Sequence, residues 1–70
     1  SLEDLEEFIS IIARYDRGKI KSLNRLIAEK KGLRYEELSP KELKEIDEEA
    51  KEIVKRFLRG EKFPEYEKTL

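Results

Sequence analysis

The side chains of this sequence that could carry out chemistry are hydroxyls and carboxylates, because it contains neither histidine nor cysteine. The serine and threonine hydroxyls are those of Ser1, Ser10, Ser22, Ser39 and Thr69. A hydroxyl nucleophile needs an adjacent base, most often a histidine, and none is present. Ser10 is the one hydroxyl we expect to be buried, since it lies within the apolar run Phe8–Tyr15. We predict that it bonds back to a carbonyl of its own helix.

Several carboxylate pairs lie one helical turn apart and could in principle hold a cation. They are Glu3/Glu7, Glu45/Glu49 and Glu48/Glu52. Dinuclear metal sites in helical bundles combine such glutamates with Glu-x-x-His segments, which are absent here. The three glycines stand singly, so no glycine-rich phosphate loop exists. We interpret the pairs as solvated helix faces and expect no enzymatic activity, no metal and no cofactor.

Basic residues are concentrated in one part of the chain. Residues 14–34 contain eight basic and two acidic side chains, whereas residues 35–50 contain two basic and seven acidic ones. The basic segment could present a stripe to phosphates, and its candidate residues are Lys19, Lys21, Arg25, Lys30 and Arg34. Residues 27–33 resemble the first helix and turn of a helix-turn-helix. The segment that follows is acidic and is interrupted by Pro40, so a recognition helix is missing. The alternative is that the basic segment complements acidic helices within the fold.

Apolar residues near the N-terminus form two stripes on one helix. The first stripe, at 3-4-3 spacing, contains Leu2, Leu5, Ile9 and Ile12. The second, at 3-4 spacing, contains Phe8, Ile11 and Tyr15. Together they cover roughly half of the helix circumference, which is wider than one helix contact requires. We expect the first stripe to lie in the core. The second is either covered by the C-terminal tail, the interpretation we favour, or offered to a partner protein.

Capping signals divide the chain into helices. Ser39, Pro40 and Glu42 are typical of a capping box with proline at the first helical position. Gly32 and Gly60 are typical helix stops. The pattern predicts an all-α fold, a three-helix bundle with a short C-terminal fourth helix, over residues 2–15, 19–31, 40–59 and 64–69. Residues 1–70 are expected to form a single domain and a monomer.

Composition limits the environment of the protein. Of 70 residues 47% are charged, yet the net charge is only −1, so bulk electrostatics favours no class of partner. No run approaches the roughly 20 apolar residues of a membrane span, and the acidic N-terminus does not have the form of a signal peptide. We expect no membrane association and a cytoplasmic or recombinant protein.

The Ser39-Pro40-Lys41-Glu42 start, acidic helix starts, basic helix ends and a Leu/Ile core together resemble computationally designed small helical bundles. The absence of Cys, His, Met and Trp agrees with this resemblance. The basic start of the second helix, the long 32–39 connection and the aromatic tail depart from it. A hyperthermophile protein would share the Lys/Glu enrichment. The resemblance implies a scaffold without natural activity. The first alternative is a protein-binding module that uses Phe8, Ile11 and Tyr15, and the second is nucleic-acid binding through the basic segment.

Overall fold

A computed structural model describes all 70 residues and contains three α-helices: α1 (Leu2–Ala13), α2 (Leu23–Lys30) and α3 (Pro40–Leu58). Two 3₁₀ turns, Tyr35–Glu37 and Pro64–Tyr66, complete the secondary structure, and there is no strand. Helix α3 is central, because both α1 and α2 pack against it. The predicted all-α class is confirmed. None of the helices has the length and apolar character needed to cross a bilayer.

Helix α3 begins and ends where its capping signals predict. The Ser39 hydroxyl accepts a hydrogen bond from the Glu42 amide at 3.1 Å, and the Glu42 carboxylate accepts one from the Ser39 amide at 2.9 Å. These bonds lower the pKa of Glu42. At the other end Gly60 has φ of +100°, and the Glu61 amide donates to the Arg56 carbonyl at 3.1 Å. Both ends therefore satisfy backbone groups that a helix terminus leaves open.

Helix α2 begins four residues later than predicted, so the predicted start at Lys19 is wrong. Its N-cap is Ser22, whose hydroxyl accepts from the Arg25 amide at 3.2 Å. The Asp16 carboxylate accepts from the Ser22 amide at 2.8 Å and thereby fixes the preceding loop. In that loop Gly18 has φ of +61°, and Arg17 and Ile20 exchange backbone hydrogen bonds. These contacts take the place of a helical turn.

The predicted fourth helix over residues 64–69 is replaced by a single 3₁₀ turn at Pro64–Tyr66. Six residues are too few to form an α-helix without strong tertiary support, because helix nucleation is costly. The turn nevertheless directs Tyr66 into the interior, where only 6% of its surface stays exposed. Leu70 also packs against the core.

The core is small and lies between α2, α3, the end of α1 and the tail. Its buried apolar residues are Ala13, Leu23, Ile27, Ala28, Ile46, Ala50, Ile53 and Tyr66. Of the stripe predicted to be core on α1, only Ile9 is buried. Leu2, Leu5 and Ile12 are about half exposed or more, which contradicts their predicted core role. The orientation of α1 on α3 explains this difference.

Candidate protein-binding site

Helix α1 meets α3 through small and polar side chains. Ser10 is buried, and its hydroxyl donates to the Asp47 carboxylate of α3 at 3.2 Å. The prediction that Ser10 bonds back to its own helix is therefore wrong. The same carboxylate lies 3.8 Å from the Arg14 guanidinium and 3.7 Å from the Lys51 ammonium. Asp47 thus joins residues of both helices.

A second ion pair fixes the other end of α1. The Glu6 carboxylate lies 2.8 Å from the Lys55 ammonium, and both side chains are about 30% exposed. The hydrogen bond from Lys55 and its charge lower the pKa of Glu6. Glu6 contacts residue 55 while Ser10 contacts residue 47, so α1 runs antiparallel to α3. The side of α1 facing α3 is therefore the one that carries Glu6, Ile9, Ser10 and Ala13.

This orientation leaves most of the apolar surface of α1 uncovered. With 3.6 residues per turn, Leu5, Phe8 and Ile12 fall within about 60° of one another on α1, and Tyr15 follows just after the helix ends. Their exposed fractions are 47%, 59%, 50% and 66% respectively. Large apolar residues exposed singly are ordinary, but four on one stripe form a contiguous patch.

The patch forms one wall of an open groove of about 270 Å³, hereafter the apolar groove. Val54, Phe57 and Leu58 at the end of α3 form another wall, and Leu70 of the tail lies at one end. Phe57 and Leu58 are themselves 37% and 66% exposed. The groove thus combines residues from α1, α3 and the tail.

Both charged side chains that line the apolar groove are basic. Lys21 is paired with Glu29 at 2.8 Å. Arg17 donates to the Lys68 carbonyl at 3.2 Å and has no carboxylate within ion-pair distance. Both residues belong to the loop that follows α1. The end of the groove nearest this loop therefore has positive charge.

The three residues of the predicted protein-binding patch do not all lie on the same surface. Phe8 and Tyr15 line the apolar groove, whereas Ile11 is 45% exposed but lies outside it. The tail does not cover these residues as expected. Tyr66 turns instead into the core, with the Lys30 ammonium 4.7 Å from its ring centroid. Sequence reasoning did not assign Leu5, Ile12, Phe57 and Leu58 to this surface. The one available signal was the unusual width of the apolar arc on α1.

The candidate nucleic-acid residues mostly face carboxylates of their own chain. Their ion pairs are Lys21–Glu29, Arg25–Asp16, Arg25–Glu36, Lys30–Glu65 and Arg34–Glu37. Arg25 donates hydrogen bonds to Glu36 and Asp16, which raise the pKa of Arg25, and the hydrogen bond from Arg25 lowers the pKa of Glu36. Lys19 alone of the five has no such partner. The basic segment is therefore not an uncompensated positive stripe.

The hydroxyls considered for chemistry have structural contacts. The hydroxyls of Ser1, Ser22 and Ser39 each accept an N-cap hydrogen bond. No group of three or more acidic side chains is placed to hold a metal ion.

Comparison with protein-family models, with curated proteins and with solved structures finds no match. The apolar groove is the candidate functional site of this chain.

Proposed function

We propose that this protein is a protein-binding module whose apolar groove receives one face of an amphipathic helix. The observation that carries the proposal is the contiguous exposure of Leu5, Phe8, Ile12 and Tyr15 beside Phe57. Contiguous apolar surface next to polar residues is typical of interaction sites. A helix laid in a groove is a common way to bury such a surface.

The dimensions of the groove favour a short helix as the ligand. The exposed stripe runs from Leu5 to Ile12, a rise of about 10 Å along α1, and continues to Tyr15 just past the end of the helix. A partner helix of roughly ten to twelve residues would cover it. Aromatic side chains are enriched among interface anchors, and the groove offers Phe8, Tyr15 and Phe57.

Charge adds a preference for acidic partners. Arg17 and Lys21 are the charged residues lining the groove, and Arg17 lacks a carboxylate partner within the chain. An acidic side chain on the bound helix would form an ion pair with Arg17. Complementary charges of this kind raise the association rate and fix orientation more than they raise affinity. The proposed ligand is therefore an amphipathic helix with carboxylates beside its apolar stripe.

The scaffold hypothesis accounts less well for this surface. A sequence selected only for folding would carry polar residues in place of Phe8 and Tyr15, because exposed apolar patches promote association. A designed origin is compatible with either function, since a designed chain can also be a designed binder. Nucleic-acid binding has weaker support, because four of its five candidate residues are already paired with carboxylates.

Three synthetic helical peptides test the proposal. They share one apolar stripe and carry acidic, neutral or basic residues beside it. We expect the acidic peptide to bind most tightly to the ¹⁵N-labelled protein, with amide shifts along α1 and the end of α3. Its affinity should fall as salt rises.

Matched substitutions on α1 provide the control. Phe8→Ser removes a groove residue, whereas Ile11→Ser removes an apolar residue of similar exposure outside the groove. Phe8→Ser should abolish peptide binding, and Ile11→Ser should reduce it less than about threefold, the effect of a peripheral contact. Arg17→Gln should diminish the preference for the acidic peptide. Absence of shifts with all three peptides, or equal losses in the two serine variants, would contradict the proposal.

A further inference from the structure

Helix α1 itself has the chemistry expected of the groove's ligand. Its first half carries Asp4 beside the apolar stripe, and its C-terminal end leads into basic residues. We propose that the ligand of the apolar groove is a second copy of this chain, with two α1 helices packed antiparallel about a twofold axis. This inference rests on the proposed protein-binding role of the groove and names its occupant.

The spacing of the exposed stripe fits an antiparallel twofold pair. Leu5, Phe8, Ile12 and Tyr15 follow a 3-4-3 pattern, which reads identically in both directions along the helix. It is also the spacing of the seam between two packed helices. A twofold axis near residue 10 places Leu5 opposite Tyr15 of the second copy, and Phe8 opposite Ile12. Each copy then offers the same patch, as a twofold interface requires.

Charge selects the antiparallel direction. Asp4 lies at one edge of the stripe, about 40° around α1 from Phe8, and Arg17 lies in the loop beyond the other end of the helix. An axis near residue 10 brings Asp4 of one copy toward Arg17 of the other, twice per dimer. Arg17 has no carboxylate partner in its own chain, whereas Arg14 lies against Asp47 of α3. A parallel pair would instead place the acidic halves against each other.

The exposed area is sufficient for a dimer. Six large side chains of the groove, those of Leu5, Phe8, Ile12, Tyr15, Phe57 and Leu58, are between 37% and 66% exposed. At ~200 Å² for each large side chain they expose roughly 600 Å² of apolar surface per copy. A stable interface of ordinary size buries about 800 Å² per partner. Polar residues beside the groove therefore need to supply only a minority of the buried area.

Sedimentation equilibrium of the whole chain tests the proposal over concentrations from about 10 μM to 1 mM. We expect a concentration-dependent monomer–dimer equilibrium that Phe8→Ser abolishes. Asp4→Arg creates two like-charge contacts per dimer, as does Arg17→Asp, so each variant alone should dissociate at least about tenfold more readily. An equimolar mixture of the two variants restores both opposite-charge contacts and should form heterodimers. Thermal unfolding followed by circular dichroism confirms that each variant is folded.

The outcomes separate this inference from the proposed function. A chain that stays monomeric at ~1 mM but binds the acidic peptide overturns the dimer and leaves the protein-binding role standing. A chain that neither dimerises nor binds a peptide overturns both. A dimer that survives Phe8→Ser, or singly charge-reversed variants that dimerise as well as their mixture does, places the interface elsewhere and refutes the antiparallel pairing.

Discussion

The role of the tail leads to a quantitative prediction about Tyr66. Its ring is 6% exposed and lies in the core with residues of α2 and α3. Tyr66→Ala removes an aromatic side chain that buries about 200 Å², which at 25 cal/mol per Å² corresponds to ~5 kcal/mol. Measured losses for buried aromatics replaced by alanine are about 3–5 kcal/mol. A domain of this size without disulfides or metal has ~3–5 kcal/mol of stability in total. We therefore expect Tyr66→Ala to be largely unfolded.

Two control substitutions, a milder one at Tyr66 and one at the exposed Phe8, make the prediction measurable. Tyr66→Phe keeps the ring and should stay within ~1 kcal/mol of the parent, the net value of one hydrogen-bonding group. Phe8→Ala removes an aromatic that is 59% exposed, and should change the free energy of unfolding by less than ~1 kcal/mol. Urea unfolding followed by circular dichroism, at a concentration where the chain is monomeric, measures all three. Equal losses for Phe8→Ala and Tyr66→Ala would refute the distinction between open groove and tail-filled core. An unchanged midpoint for Tyr66→Ala would show that the tail does not stabilise the domain.

Three further predictions concern the buried side-chain amide of Asn24, the glycine that ends α2 and the dependence of stability on pH. Asn24 is fully buried and neither amide atom bonds to the rest of the chain, so Asn24→Leu, which keeps the branching, should raise stability by ~1–3 kcal/mol in thermal unfolding. Gly32 has φ of +74°, so Gly32→Ala should lower stability by ~1–2 kcal/mol in urea titrations. Hydrogen bonds lower the pKa values of Glu6, Asp16 and Glu42, and neighbouring basic charges lower those of Glu6 and Asp16 further. Their stabilisation is present above the unfolded-state values near 4, so melting temperature should fall as pH drops through the lower folded-state values.

Local capping signals predicted much of the fold. The start of α3 at Pro40 was predicted to the residue because cap and acceptor are only three residues apart. The end of α2 followed from Gly32, whose neighbour Leu33 donates to the Ala28 carbonyl at 2.9 Å. The start of α2 was missed because the Asp16 carboxylate reaches six residues along the chain to fix the loop. The tail was predicted as a helix because its apolar spacing fits one, although its length does not.

The candidate site was only half predictable, since the sequence shows an apolar arc but not which part of it is buried. The orientation of α1 depends on contacts far along the chain, where Ser10 meets Asp47 and Glu6 meets Lys55. Apolar periodicity alone favoured burial of Leu5 and Ile12. These two polar pairs, together with the small side chain of Ala13, instead orient α1 so that Leu5 and Ile12 stay exposed. Helical periodicity locates a stripe on a helix, but its neighbours determine its orientation.

The way α1 is attached to α3 links the stability of α1 to occupation of the apolar groove. In the monomer the helix buries Ile9 and Ala13 completely or nearly so, while its larger apolar residues remain half exposed. Apart from the hydrogen bond between Ser10 and Asp47, its polar contacts with α3 are partly exposed ion pairs, which contribute little each. A ligand that binds only the docked helix must therefore stabilise it by mass action. Hydrogen exchange of α1 amides should slow as the acidic peptide or a second copy fills the groove, while exchange in the middle of α3 changes less. Equal slowing in both helices would mean that α1 opens only with the whole domain.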